Sequence, residues 1–295
     1  MRRSRLARLG LNLANLLVIG FFLLPIVTAA IGSLQSEKTL RADTRAVLPR
    51  EWTLDNFRVF LSGGAQSAGS IYEQATYLPD NVKKIYYALG NSVVIAGSVT
   101  LLTLVFAALS AYAAVRLRLR WLAWLMELSV LARFVPIIVL IIPLYVTFRR
   151  LELLNSMWGV IIAEVGFLLP YGILILAPYF AALPQELDEA ARIDGASPAQ
   201  VYFRIYLPLM APALVAVGTY ALLLAWNEYL YQFLLLSSKQ SMTVPVALAQ
   251  FLNSDEAPWN YMMATAIVYA LPPVAIYYAF RRRMTAGLTM GGIKG

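Results

Sequence analysis

The sequence predicts an all-α fold, a polytopic bundle of six transmembrane helices formed by a single domain over residues 1–295. Hydrophobic residues make up 60% of the chain and charged residues only 14%, whereas a soluble domain carries about 25% charged residues. Five runs lack Asp, Glu, Lys and Arg, and each supplies the roughly 20 residues that a membrane-spanning helix needs. These runs are 9–36, 85–115, 165–185, 205–227 and 257–280. Helices are expected there because a helix satisfies its own backbone hydrogen bonds in lipid.

The six predicted spans differ in regularity. The third is the least regular because it contains Glu127 and Arg133, and charged side chains are costly in a bilayer. Prolines in the third, fourth and sixth spans predict kinks. The predicted spans are 11–34, 88–115, 121–148, 156–182, 212–236 and 262–281. They leave 35–87 as an external loop and 183–211 as a cytoplasmic loop.

Three arginine clusters predict the orientation. They lie at 2–8, at 116–120 and at 281–283, next to the first, second and sixth spans. With six spans, all three fall on the same side as the 183–211 loop, and the positive-inside rule makes that side cytoplasmic. Both termini are then cytoplasmic. Arg149 and Arg150 favour the opposite orientation, as do the bases of the 35–87 loop, but they carry less weight than bases in short turns.

The net charge of +8 therefore comes largely from arginines that orient the spans in the membrane. We expect these bases to contact membrane lipid, and we expect no nucleic-acid partner. The absence of Cys excludes disulfides and thiolate metal sites. The absence of His removes the commonest general base, so no catalytic or metal-binding residue is predicted. The first span resembles a signal peptide because basic residues precede an apolar core, but it is too long and lacks a clear cleavage site. We expect it to be retained.

The 183–211 loop is polar but has the pattern of two short helices. Acidic residues follow Pro184, where the positive end of a helix dipole favours them. Gly195 is expected to end the first helix, Ser197 to cap the second, and Pro198 to occupy its first turn. A helix–turn–helix in a loop between membrane spans is expected to be presented to a partner.

The same loop carries a family resemblance. Glu-Ala-Ala at 189–191, Gly195 after three intervening residues, and Ile-x-Leu-Pro at 205–208 resemble the loop of ATP-binding-cassette importer permeases that docks onto a cytoplasmic ATPase. The stretches from Pro136 to Tyr145, from Trp226 to Tyr229 and from Gly287 to Gly295 resemble the carbohydrate-uptake permeases of the maltose-transporter type. By this resemblance the ATPase-docking residues are Glu189, Ala190, Ala191, Asp194, Gly195, Ile205 and Pro208, with Glu189 and Asp194 as candidates for charge pairs.

The resemblance also implies the partners and the location. Two permeases, usually a heterodimer, would work with two ATPase subunits and an external or periplasmic sugar-binding protein in the bacterial inner membrane. The chain has no Gly-x-x-x-x-Gly-Lys-Ser/Thr phosphate cradle. It is therefore expected to be non-catalytic and to bind no cofactor itself, with ATP and Mg held by the partner ATPases.

Aromatic, amide and acidic side chains in the fourth and fifth spans are candidate solute contacts, because sugars stack on aromatic faces and bond to amides and carboxylates. Tyr220, Asn227 and Tyr231 are predicted to share one helical face. Arg133 is placed to approach Glu164 or Glu228, in a structural ion pair or a polar solute site. An aromatic belt at the membrane interface is the alternative for these rings. The candidates are Glu164, Tyr171, Tyr220, Trp226, Asn227, Glu228 and Tyr231.

Three other functions compete with a sugar permease. The loop motif alone is equally compatible with an importer for amino acids, polyamines or phosphonates. An ion-coupled secondary transporter would favour inverted repeats with matching broken helices, which the sequence does not display. A membrane-embedded enzyme lacks His, Cys and clustered metal ligands. The signatures at 226–229 and 287–295 favour a sugar permease, by resemblance.

Overall fold

The structure, a computed structural model, describes residues 5–36, 39–40, 51–61, 85–117, 119–131, 134–238, 241–251 and 258–290. Every regular element within these segments is a helix. In chain order the helices are α1 (Arg5–Ser33), α2 (Asp55–Leu61), α3 (Ile85–Val115), α4 (Arg120–Leu131), α5 (Ile137–Arg150), α6 (Met157–Ala182), α7 (Glu186–Ile193), α8 (Pro198–Leu209), α9 (Ala211–Trp226), α10 (Leu230–Leu235), α11 (Val244–Phe251) and α12 (Trp259–Met290). The chain divides into two compact units, Met1–Tyr86 with Ala247–Leu271 and Tyr87–Val246 with Pro272–Gly295.

The first unit is held together by buried amides. Asn56 of α2 donates to the carbonyl oxygens of Ser33, at 2.8 Å, and Gln35, at 2.9 Å. Asn260 of α12 in turn donates to the Asn56 side-chain oxygen at 2.8 Å. These bonds satisfy carbonyls at the end of α1 that lack intrahelical donors. Side chains 10–28 of α1 are exposed in the isolated chain.

The second unit has a continuous apolar core that joins the long helices to the 183–211 loop. Small residues let the long helices approach closely, as is common between membrane helices. A Cβ added at Gly172 of α6 would lie 2.7 Å from the Ala107 Cβ of α3. The core consists of Ala107, Ala108, Ala111, Tyr112, Ile173, Leu176, Phe180, Ala191, Val201, Tyr202, Tyr206, Met210, Ala213 and Val217.

Within the segments that the structure describes, four helices have the length and apolar composition to cross a membrane. They are Gly10–Ser33 within α1, α3, α6, and Trp259–Arg281 within α12. These overlap the first, second, fourth and sixth predicted spans. A fifth crossing results if the bent pair α8 and α9 counts as one span.

The predicted third span, 121–148, is not one helix. α4 ends at Leu131 and α5 begins at Ile137. Pro136, with φ −58° and ψ 132°, is extended, and proline also disfavours helical geometry in the residue before it. At 1.5 Å per residue α4 and α5 measure about 18 and 21 Å, and each is shorter than the roughly 30 Å apolar core of a bilayer. A crossing here needs both helices. Arg133 lies outside the described residues.

The predicted fifth span, 212–236, is also interrupted. α9 ends at Trp226, and α10 begins at Leu230 after a three-residue break. At its other end α9 meets α8 at an angle of 76°. Pro212 lies in the first turn of α9, where it has no N–H to donate to the carbonyl four residues earlier, and this missing hydrogen bond favours the bend.

The close contact of α3 with α6 predicts that a larger side chain at Gly172 lowers the stability of the folded protein. Gly172→Val places branched carbons against Ala107, and overpacking costs about 1–3 kcal/mol. Gly166→Val, on the same helix, is the matched control because a Cβ there meets nothing within 4 Å. Thermal unfolding of the purified protein in detergent should show a lower midpoint for Gly172→Val than for Gly166→Val. Equal midpoints would show that the two helices do not touch at Gly172.

Candidate functional site

The first helix of the 183–211 loop is α7, and its two ends are set by local chemistry. Glu186, Asp188 and Glu189 fill its first turn, where carboxylates interact favourably with the helix dipole. At the other end Gly195 has φ +77°, a left-handed conformation that glycine adopts without penalty. Its N–H donates to Arg192 O at 3.0 Å, and the N–H of residue 196 donates to the carbonyl of residue 191 at 2.9 Å. This pair of bonds is a Schellman C-cap.

The second helix, α8, starts with a capping box. The Ser197 hydroxyl accepts from the Gln200 N–H at 3.3 Å, and the Gln200 side chain accepts from the Ser197 N–H at 2.8 Å. Pro198 occupies the first turn. Gly195 and Ser197 thus have the roles that the sequence predicts. The centre of the helix, Tyr202–Tyr206, is π-helical, a conformation that is rare and frequent at functional sites.

A buried arginine from α3 anchors the loop. Arg116 directly follows α3, and its side chain is only 5% exposed. One terminal nitrogen donates to Phe180 O at 2.7 Å and to Leu183 O, at the end of α6. The other lies 3.4 Å from Asp188 Oδ2 on α7. The guanidinium therefore neutralises a carboxylate and donates to two carbonyls at the end of α6, where intrahelical donors run out. The Phe180 carbonyl also accepts from the Leu183 N–H at 3.4 Å.

Asp188 also receives a hydrogen bond from α8. The Tyr206 hydroxyl donates to Asp188 Oδ2 at 2.6 Å, and the Arg116 guanidinium carbon lies 4.9 Å from the centre of the Tyr206 ring. Burial, followed by the bond to Asp188, raises the pKa of the Tyr206 hydroxyl, so it stays protonated and donates. Removing one member of a fully buried ion pair costs about 3–5 kcal/mol. Because Asp188 is 21% exposed, the cost here should lie near the lower value.

Tyr112, which lies on α3 one turn before Arg116, packs against α8, the second helix of the loop. Its ring centre lies 5.1 Å from that of Tyr202 and 5.4 Å from that of Tyr206. Its hydroxyl donates to Pro198 O at 3.2 Å. Aromatic contacts at such distances contribute about 0.5–1.5 kcal/mol beyond their buried area. The inner face of the loop is thus fixed by packing as well as by charge.

The outer face of the loop combines apolar and acidic side chains. Ile193 is 85% exposed and Phe203 is 61% exposed. Removing either apolar side chain from water would be favourable. Glu189 and Asp194 are also exposed. Such a surface is expected to be covered by a partner.

The residues proposed for ATPase docking divide between the two faces. Ala191 is buried in the core and Ile205 is half-buried, so both position the loop. The others lie on the exposed face, namely Glu189, Ala190, Asp194, Gly195 and Pro208. Their contact with an ATPase stays a prediction.

The structure brings three of the predicted solute contacts together. Tyr171 lies with its ring centre 6.2 Å from that of Tyr220 and 6.1 Å from that of Phe167. Phe167 in turn lies 6.2 Å from Tyr231. All three contacts are edge-to-face, the geometry that aromatic pairs prefer. Tyr220, Tyr171, Phe167 and Tyr231 form what we term the aromatic row, in which Tyr220 and Phe167 are 42% and 41% exposed.

The other predicted solute contacts lie elsewhere. The expectation that Asn227 shares one helical face with Tyr220 and Tyr231 is wrong, because Tyr231 lies on α10, beyond the break that follows α9. Asn227 instead donates to Leu223 O at 2.8 Å. Glu228 accepts from the backbone N–H groups of residues 231 and 232 at 3.0 and 3.2 Å and so caps α10. Trp226 is only 3% exposed.

Glu164 belongs to a buried polar network. It is 1% exposed, and one of its oxygens accepts from the Gln232 amide at 3.1 Å. The Thr243 hydroxyl donates to the Gln232 side-chain oxygen. The network connects α6 to α10 and to the segment before α11. Glu164 therefore presents no surface to a solute in this conformation.

Sequence reasoning missed Arg116, Phe167 and Gln232 as site residues. The arginine cluster at 116–120 indicates only orientation, although the first basic residue after a long apolar helix can reach the carbonyl ends of neighbouring helices. Phe167 lies four residues before Tyr171, so the two share a helical face. That spacing could have identified it. No local signal marked Gln232, whose partner is 68 residues away.

The apolar helices and the folded loop are those of a membrane transport subunit. The chain belongs to the family of binding-protein-dependent transport system inner membrane components, whose sequence profile matches residues 103–289. The family resemblance inferred from the loop motif is confirmed.

Two relatives match nearly the whole chain in sequence, and a solved structure shares its fold. A trehalose transport system permease protein of Mycobacterium tuberculosis is 33% identical over 95% of each chain. A trehalose/maltose transport system permease protein of Thermococcus litoralis is 30% identical over 100% of each chain. A crystal structure of a bacterial ABC transporter involved in the import of the acidic polysaccharide alginate superimposes with a TM-score of 0.74 at 20% identity, covering 96% of this chain and 99% of the matched one.

The Asp188–Tyr206 bond gives a local test of the loop. Tyr206→Phe removes only the hydroxyl that bonds to Asp188, and a hydrogen bond to a charged group contributes about 1.5–3 kcal/mol. Hydrogen exchange should become faster in the amides of α8, where Tyr206 lies. Tyr277→Phe is the matched control, because that ring is 48% exposed on α12. Unchanged exchange in Tyr206→Phe would contradict the anchoring role of this bond.

Proposed function

We propose that the chain is the permease subunit of an ATP-binding-cassette importer for a mono- or oligosaccharide and forms half of the translocation pathway. Two full-length relatives are transport permeases for trehalose or for trehalose and maltose. The 183–211 loop supports the same function from geometry. The loop fixes its inner face with a buried ion pair and leaves an apolar residue 85% exposed on its outer face.

The proposed partner at this loop is an ATPase subunit. A rigid helix pair with exposed Ile193 and Phe203 fits an apolar cleft, and the exposed carboxylates of Glu189 and Asp194 fit a basic rim around it. Hydrolysis occurs in the ATPase, so this chain contributes no catalytic group. The complete transporter contains a second permease, two ATPases and an external sugar-binding protein.

The proposed mechanism is mechanical. The loop continues covalently into α6 on one side and, through the bend at Met210, into α9 on the other. When the ATPases close around ATP, a loop seated in their clefts is displaced as a rigid body. The two helices tilt with it, and the pathway opens to the opposite side of the membrane. For this the loop has to lie in the cytoplasm, with six crossings and both termini on that side.

The proposed solute contact is the aromatic row. Tyrosine rings provide apolar faces for the C–H surface of a sugar and hydroxyls for its polar edge. Tyr220 is the most exposed member. Glu164, Trp226 and Glu228 are proposed to shape this region from within, because the first two are buried and the third caps a helix. Asn227 is retained as an exposed candidate.

The turn at Gly195 provides the test of docking. Gly195→Val forces a branched side chain into the left-handed region, which strains the turn by about 1–2 kcal/mol or more. The cause is conformational, since a Cβ there meets nothing within 4 Å. In proteoliposomes that contain the whole transporter, sugar uptake per ATP hydrolysed should fall by about fivefold or more, as that strain implies.

Gly195→Asn is the matched variant, because asparagine tolerates a positive φ better than any β-branched residue. It should retain most of the coupling. Normal uptake by Gly195→Val, with normal membrane insertion, would exclude a docking role for this turn.

The aromatic row has its own test. Tyr220→Ala removes one stacking surface and should lower the initial uptake rate by about three- to tenfold, the equivalent of about 0.5–1.5 kcal/mol for one aromatic contact. Tyr220→Phe keeps the ring and should retain most of the rate. The measurement is uptake of radiolabelled trehalose or maltose. If Tyr220→Ala transports as fast as the unsubstituted protein, the row is not a solute contact.

A further inference from the structure

α3 contacts the 183–211 loop through side chains, although the two are far apart in the sequence. The loop continues into α6 and α9, whereas α3 ends more than 60 residues before it. Nevertheless the last turn of α3 and the residue after it supply Tyr112 and Arg116, both of which contact the loop. The proposed mechanism, which tilts only α6 and α9, leaves these contacts without a role.

The contacts of Arg116 hold several elements at once. Its guanidinium reaches the end of α6 through Phe180 O, α7 through Asp188, and α8 through the ring of Tyr206. Asp188 and Tyr206 are also bonded to each other. A planar guanidinium with donors in fixed directions suits such a junction, whereas the lysine ammonium is a point charge on a flexible stem.

The neighbouring part of α3 is also packed too closely to slide. At Gly172 the surface of α6 lies so near to Ala107 of α3 that an added Cβ would come within 2.7 Å. Three residues earlier on α3, Leu104 packs against α9, where a Cβ added at Gly218 would lie 2.9 Å from Leu104 Cδ1. Independent motion of α6 or α9 against α3 would have to break these contacts. Packed interfaces of this kind move together or shift in discrete steps.

We propose that Arg116 is a positioning residue that couples α3 to the 183–211 loop, so that α3 moves with the loop, α6 and α9 as one body during transport. The inference rests on the proposed function, because the loop has to be displaced by an ATPase. It adds a third helix to the moving group and assigns the connection to one side chain. Arg116 touches neither solute nor nucleotide.

The test compares distances and coupling in the complete transporter in lipid nanodiscs. The chain contains no cysteine, so Leu109→Cys on α3 and Ala199→Cys on α8 accept two spin labels at exposed positions. Electron–electron distances are measured without nucleotide and with a non-hydrolysable ATP analogue. They are measured in the otherwise unsubstituted chain and with Arg116→Met, whose side chain has similar length but no charge and no donors.

The distance should be the same in both nucleotide states with Arg116 present and should change with nucleotide in Arg116→Met. Uptake per ATP hydrolysed should fall by about tenfold in Arg116→Met, the effect of an ordinary coupling free energy between two sites. The ATPase subunits should copurify in unchanged ratio. Arg116→Lys should recover part of the coupling, and Arg150→Met, an exposed arginine at the end of α5, should leave it unchanged.

Three results would overturn the proposal. The first is a distance that changes with nucleotide while Arg116 is present. The second is normal uptake per ATP in Arg116→Met, and the third is loss of the ATPases from that variant, which would reduce Arg116 to a residue that folds the loop. If Arg116→Met does not accumulate in the membrane at all, the distances in the chain with Arg116 decide alone. Absence of any ATPase from the unsubstituted complex would instead refute the proposed function.

Discussion

One buried guanidinium determines how the 183–211 loop is presented. Without Arg116 the carboxylate of Asp188 would lose its cation, and the carbonyls of Phe180 and Leu183 would each lose a charged donor. Unpaired polar groups of this kind are costly in a protein interior. The apolar packing of Tyr112 on Tyr202 and Tyr206 places the same elements together but does not fix their rotation. Directional bonds do, and Arg116 supplies most of them.

Because the inner face of the 183–211 loop is fixed, its outer face can keep apolar side chains exposed for binding a partner. Ile193 and Phe203 stay exposed because α7 and α8 are already held from the other side and cannot turn to bury them. The Schellman cap at Gly195 and the capping box at Ser197 set the angle between the two helices without further contacts. The loop therefore combines what transmission of force between proteins needs, a rigid body and a surface that binds a partner.

The local features of this loop could be predicted from the sequence because their causes lie within a few residues. Gly195 ends a helix, and Ser197 with Gln200 starts one, whatever surrounds them. The long apolar helices were predictable for a similar reason, since hydropathy is summed along the chain. The role of Arg116 was not predictable, because its partners are 64 to 90 residues away. In sequence it is indistinguishable from other arginines that flank membrane spans.

The sequence did not predict the helix breaks within the third and fifth spans. Residues 121–148 and 212–236 are apolar enough for single spans, but hydropathy does not register the extended backbone at Pro136 or the new helix that Glu228 caps. The break after Trp226 placed Tyr231 on a different helix from Tyr220. It also placed Tyr231 at the end of a row that runs along α6 instead of α9. The solute contacts proposed from helical spacing therefore changed, while the family assignment did not.

The side of the membrane on which the loop lies is the most direct test of the account. Since the chain has no cysteine, Ala190→Cys gives a single thiol on the exposed face of α7. In intact cells a membrane-impermeant maleimide should not label it. In inverted vesicles stripped of ATPase it should react, and adding purified ATPase should protect it. Labelling of Ala190→Cys from outside intact cells would contradict a cytoplasmic docking loop and the mechanism built on it.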